Sequence, residues 1–176
     1  ARPELQQHPR GARYTGAIVA MALLILLAAG LRPWFSGLRG EVDELNHPAA
    51  ELGAALSAAG YDGRSPIIAA DHMMAGLLRT RFPRASVGSC TVKDDDPLSD
   101  CVAALVARAR AAGQGWLLVS RPDRLEPDWW ALATARLPAR PVRSIELPLR
   151  MVRDGTPPAH YQYLWQPAAP APDQPQ

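Results

Sequence analysis

Two cysteines, Cys90 and Cys101, bracket the segment TVKDDDPLSD. In an oxidising compartment such a pair can close a disulfide, and a loop of this length would then contribute about 3 kcal/mol in the chain-entropy picture. The alternative is two free thiols, with Cys101 on the inner face of a helix, since spacing alone does not supply disulfide geometry. Asp94, Asp95 and Asp96, inside the same segment, are hard oxygen ligands of the kind that suit calcium or magnesium. They lack the spaced ligands, central Gly and closing Glu of a helix-loop-helix calcium site, so with Pro97 they read as a solvated acidic loop. Asp71 and His72 follow a short apolar run, at the carboxyl end of a strand, where open α/β sheets place ligands. They are the candidate ligand-binding residues, although a helix N-cap also explains Asp71.

Little else has the spacing of a site. The histidines at 8, 47, 72 and 160 are scattered and make no metal motif, so no metal is assigned. A nucleophile elbow, a phosphate-gripping glycine loop and a dinucleotide fingerprint are all missing, so no catalytic residue and no cofactor is assigned. Trp129 and Trp130 would make a patch for a membrane or a partner if both were exposed; as an adjacent pair they read as packing, one in the core and one at the surface.

The elements that must position these residues are read from periodicity. Leu52, Ala55, Leu56 and Ala59 repeat at helical spacing behind Pro48, with Gly60 where a C-terminal cap belongs. Pro66 to Ala70 is a strand closed by Asp71, and Met73, Met74, Leu77 and Leu78 form the stripe of a second helix that ends before Pro83. Ala85 to Ser89 is a second strand. Leu98, Val102, Leu105, Val106 and Ala109 face inward on a third helix, which carries Arg108 and Arg110 on its wet side and is stopped by the glycines at 113 and 115. Trp116 to Ser120 (WLLVS) is apolar on both faces, as a central strand covered by helices must be. After a short helix around Pro127 to Arg136, Ile145, Leu147, Leu149 and Met151 alternate with polar residues, and Pro148 puts that strand at an edge or a bulge. Asp154 and Gly155 mark a turn, and Tyr161, Tyr163 and Trp165 alternate along a last strand, which predicts an antiparallel hairpin.

Ahead of all this lies an uncharged run, Tyr14 to Leu31, that would cover roughly 27 Å as a helix, close to the hydrocarbon thickness of a bilayer. Trp34 and Phe35 at one edge and Tyr14 at the other suit the headgroup layer. Arg2, Arg10 and Arg13 precede the run, against Arg32 and Arg39 after it, so the positive-inside bias puts the N-terminus in the cytoplasm and the rest outside. Two other readings compete. A cleaved signal peptide would have a shorter apolar core and a small-x-small site, and a buried core helix would show a polar face.

The 176 residues leave one ordinary domain beyond the span, and the net charge of +2 comes from scattered arginines rather than a basic block, so no nucleic acid partner is expected. The first residue is Ala, and the expectation is a piece of something longer. The predicted organisation is a cytoplasmic segment 1–13, a transmembrane helix 14–35, a connector 36–47, an extracytoplasmic domain 48–166 and a disordered tail 167–176. The fold class is α/β: one transmembrane helix, then a small three-layer α/β/α domain with a mostly parallel sheet and an antiparallel edge hairpin.

With the stretch SPIIAADHMMAGLLRTRFPRASV, the strand WLLVSR and the closing strand HYQYLW behind a transmembrane helix, nearly the whole chain resembles the C-terminal end of bacterial membrane glycosyltransferases related to protein O-mannosyltransferases and lipid A aminoarabinose transferases. The likeness is one of layout and hydrophobic pattern, and Asp71-His72-Met73 follows the family's stretch after the first strand only loosely. It implies an inner-membrane enzyme that moves a sugar from a polyprenyl-phosphate carrier to an acceptor at the outer face. It also implies that the catalytic carboxylate lies in an external loop near the N-terminus of the full protein, so that this chain alone is inactive and its periplasmic domain caps the cavity. The alternative from another class is a non-catalytic, single-pass envelope protein with a partner-binding α/β domain.

Overall fold

Pro9–Leu38 folds as one helix, α1, in the computed structural model of the protein, which describes residues 9–39, 42, 44–90, 97–122 and 128–169. The chain divides into two units: Ala1–Asn46 with Met151–Thr156, and His47–Arg150 with Pro157–Gln176. In the first unit, Tyr14–Leu38 contains an 18-residue stretch with a mean hydropathy of 2.2, none of which is buried within the protein. Among the described residues it is the one helix long and apolar enough to cross a membrane, which makes it compatible with a membrane anchor. The helix runs three residues past the predicted end at 35, because Pro33 takes a helical φ and removes only one backbone donor. Asn46, in a 3-10 turn at Glu44–Asn46, is fully buried and donates its side-chain amide to the Pro33 carbonyl at 3.1 Å.

The second unit is an α/β fold with a mixed five-stranded sheet in the order β2-β1-β3-β5-β4. Its strands are β1 (Ile67–Ala69), β2 (Val87–Ser89), β3 (Trp116–Ser120), β4 (Arg143–Leu147) and β5 (Ala159–Gln166), and its helices are α2 (Ala49–Ala58), α3 (His72–Arg81), α4 (Leu98–Ala111) and α5 (Trp129–Thr134). β1 pairs in parallel with β2 and with β3, while β5 runs antiparallel between β3 and β4. Alternation sends Ile67, Ala69, Leu117 and Val119 into one core with α2 and α3, and Ile68, Leu118 and Leu164 into another with α4 and α5. All five residues of β3 are buried, as helices on both faces require.

Helix ends follow from local chemistry. α2 and α4 both close in Schellman turns: Gly60 and Gly113 take φ of 97° and 66°, and the next residues, Tyr61 and Gln114, donate back to Leu56 and Ala109. Tyr61 then stands edge-on to Phe82 and Trp165, with centroids 5.0 and 5.1 Å away, and burial pushes its phenol well above the ordinary value. Two details differ from the periodic reading. On α3 the buried stripe is Met74, Ala75 and Leu78, with Leu77 partly covered, whereas Met73 is 56% exposed because it lies a quarter-turn off that face. On β4 the ladder stops at Leu147, since Pro148 has no N–H to continue it; β4 is an edge strand, and Met151 already belongs to the first unit. Asp154 and Gly155 do form a turn, with Gly155 at φ 84°. Pro167 to Ala169 is coil, and the rest of the tail lies outside the described residues.

Candidate functional site

β1 leads through α3 on one face of the sheet to β2, and β2 returns through α4 on the opposite face to β3 on the far side of β1. The connection leaving the carboxyl end of β1 therefore runs to β2 on one side, while the one leaving β3, through α5, runs to β4 on the other. In open α/β sheets such a switch point leaves a crevice, and ligands bind there. Ala69 pairs with Val119, so Asp71 and Arg121 each stand two residues beyond the same rung.

Asp71 is extended and opens α3, where its Oδ1 accepts from the Met74 amide at 2.7 Å. It is an N-cap. His72, exposed on the first turn, lies with its Nδ1 2.8 Å from the Ser89 hydroxyl at the end of β2. Among the described residues no carboxylate bonds the ring to orient it, and both partners face solvent, where the pair can offer hydrogen bonds to a ligand.

On the β3 side the sheet holds a buried polar chain that sequence reasoning missed. Arg121, 4% exposed, places Nη1 2.5 Å from His47 Nε2, and His47 Nδ1 lies 2.9 Å from the Tyr161 hydroxyl. A guanidinium only donates, so Nε2 must be the accepting nitrogen, and His47 is then the neutral tautomer whose Nδ1–H donates to Tyr161. The rings of His47 and Tyr161 meet edge-on at 6.1 Å. Both imidazole nitrogens are thus engaged, which leaves His47 no lone pair for proton abstraction from a substrate. Beside them Ser120 is fully buried, and among the described residues its hydroxyl finds no hydrogen-bond partner. One signal for Arg121 was available: it is the first residue after a five-residue apolar strand, the position open sheets reserve for ligand contacts.

The cysteines are joined. A disulfide links Cys90, fully buried at the end of β2, to Cys101 on α4, with Cα atoms 5.9 Å apart. It spans the acidic run, and Asp94, Asp95 and Asp96 themselves lie outside the described residues, as does Pro127. Among the described residues no three of His, Cys, Asp or Glu come together as a metal site. Trp129 is buried at 3% exposure and Trp130 packs edge-on against it at 5.2 Å, so this pair contributes to the α4 and α5 core.

The carboxyl edge thus combines a capped helix start and an exposed His–Ser contact with a buried guanidinium beside them. Compared with known proteins, the chain matches no protein-family model, no curated protein and no solved structure.

Proposed function

We propose that this chain is part of an integral-membrane, polyprenyl-phosphate-dependent glycosyltransferase, and that its globular unit lies outside the cytoplasm and helps bind acceptor or sugar. The observation that carries the reading is the coupling of one membrane-length apolar helix to an α/β unit whose switch point gathers Asp71, His72 and Arg121. Three arguments support it. The layout agrees with the family resemblance drawn from SPIIAADHMMAGLLRTRFPRASV and WLLVSR. A disulfide is rare in cytosolic proteins, which favours the periplasmic side of an inner membrane. One helix cannot enclose a lipid carrier, and among the described residues the carboxyl edge holds no poised acid/base pair, in keeping with a catalytic carboxylate supplied by another part of the enzyme.

A second reading, favoured by the same exposed edge, is a single-pass envelope module that binds a partner and catalyses nothing. Genomic DNA upstream of Ala1 separates the two. Under the first reading it encodes further apolar spans and an acidic external loop; a start codon close to Ala1 would overturn that reading and leave the second. On the topology both share, protease added to intact spheroplasts removes the globular unit. Protection until lysis would place that unit inside the cell and refute both.

A further inference from the structure

At the opposite end of the sheet, where β3 begins and β5 ends, a cavity of about 320 Å³ is lined by Arg110, Gln114, Trp116, Arg140, Gln166 and Pro167, among others. Among the described residues its charged and amide side chains are two guanidiniums and two carboxamides, with no carboxylate. Trp116, which lines it, is only 2% exposed. Arg110 sits in the last turn of α4, where it complements the helix dipole. That accounts for Arg110 but not for Arg140, which lies beyond α5. The wall is also closely fitted: a Cβ at Gly115 would fall 2.5 Å from the Gln166 carbonyl and 2.7 Å from the Trp165 ring.

We propose that this cavity is an oxyanion site, taking the phosphate or carboxylate group of a small, acceptor-rich molecule. Arg110 and Arg140 supply charge and paired N–H donors, geometry suited to either group, while the glutamine amides supply neutral donors. The volume lies at the lower end of the roughly 300–1,000 Å³ of small-molecule sites, which leaves room for a modest substituent beyond the anion. The site stands apart from the carboxyl edge and rests on neither reading of it.

The test uses the full chain in nanodiscs of zwitterionic lipid with ¹⁵N-labelled tryptophan, titrated with inorganic phosphate and, separately, with acetate. The Trp116 indole signal, assigned by its loss in Trp116→Phe, moves saturably with at least one anion. In the Arg110→Gln/Arg140→Gln double variant the midpoint rises about tenfold or more, the effect of losing at least one charge-assisted hydrogen bond. Both arginines are exposed, and an unchanged far-UV spectrum verifies that the variant folds. A second arm uses anionic phospholipid without added anion. A shift there that the double variant abolishes supports the site and assigns the oxyanion to a lipid headgroup. A signal that stays fixed in every arm, or that moves equally in the double variant, overturns the proposal.

Discussion

At Asp71 two roles can be separated because capping and charge respond to different substitutions. Asp71→Ala removes the acceptor for the Met74 amide and lowers stability by about 1 kcal/mol, whereas Asp71→Asn caps equally well and leaves stability nearly unchanged. Thermal unfolding of the chain in detergent reads both; equal losses would show that the carboxylate charge, not the cap, holds this turn. At Tyr161 and His47 the effects are graded. Tyr161→Phe loses the neutral hydrogen bond to His47, about 1 kcal/mol, while His47→Ala withdraws an acceptor from a buried guanidinium and costs more, about 2–3 kcal/mol. Denaturant midpoints decide, and a larger loss for the tyrosine would reverse the assigned donor order.

Asp62 gives the unit a calculable acid sensitivity. Burial pushes its carboxyl up, but the Ser65 hydroxyl at 2.7 Å, the amides of Ser65 and Arg64 and the Arg64 charge outweigh that and hold it below the usual carboxylate value. A depressed folded value means the contribution is complete above the unfolded carboxylate range, about pH 4, and drains away as pH falls through the folded value. Stability measured from pH 7 to pH 3 therefore declines at the acid end, and Asp62→Asn flattens that decline.

The disulfide acts at the scale of elements, because it pins the end of β2 to the first turns of α4 across the crossover between them. Its loss in a Cys90→Ser/Cys101→Ser variant, or on reduction, costs about 2–4 kcal/mol, read as a lower urea midpoint than the oxidised chain. An unchanged midpoint would mean that the crossover holds itself. Elements of this kind were legible where one physical signal dominated. WLLVS is apolar on both faces and can only be a covered strand, and Gly60 and Gly113 mark the helix ends they cap. Where signals competed, the sequence was ambiguous. Met73 and Met74 are equally apolar, and only the seating of α3 on β1 decides which one is buried. The candidate site divides in the same way. Asp71 and His72 were readable because a strand end adjoins a helix start. Arg121 and His47 lie 74 residues apart, His47 and Tyr161 lie 114 apart, and nothing local to any of them announces the contact.

For the whole molecule, the decisive property of α1 is that its most apolar stretch is left uncovered by the described residues: Leu24 is 62% exposed. If lipid covers that surface, Leu24→Arg raises the insertion cost by about 2.5–3.5 kcal/mol and shifts the chain from the carbonate-resistant membrane fraction toward the soluble one. Unchanged fractionation of the variant would argue against a spanning role. The place of β5 sets the order in which the molecule can be completed. It is the last strand described, yet it lies inside the sheet between β3 and β4. Synthesis must therefore reach residues 159–166 before β3 gains its second neighbour, and until then Leu117 and Val119 line an open edge able to recruit a foreign strand. α1 leaves the ribosome about 120 residues earlier, on the order of ten seconds at ordinary translation rates. A nascent chain stalled short of Ala159 is the form most exposed to aggregation, and the one for which a chaperone would matter most.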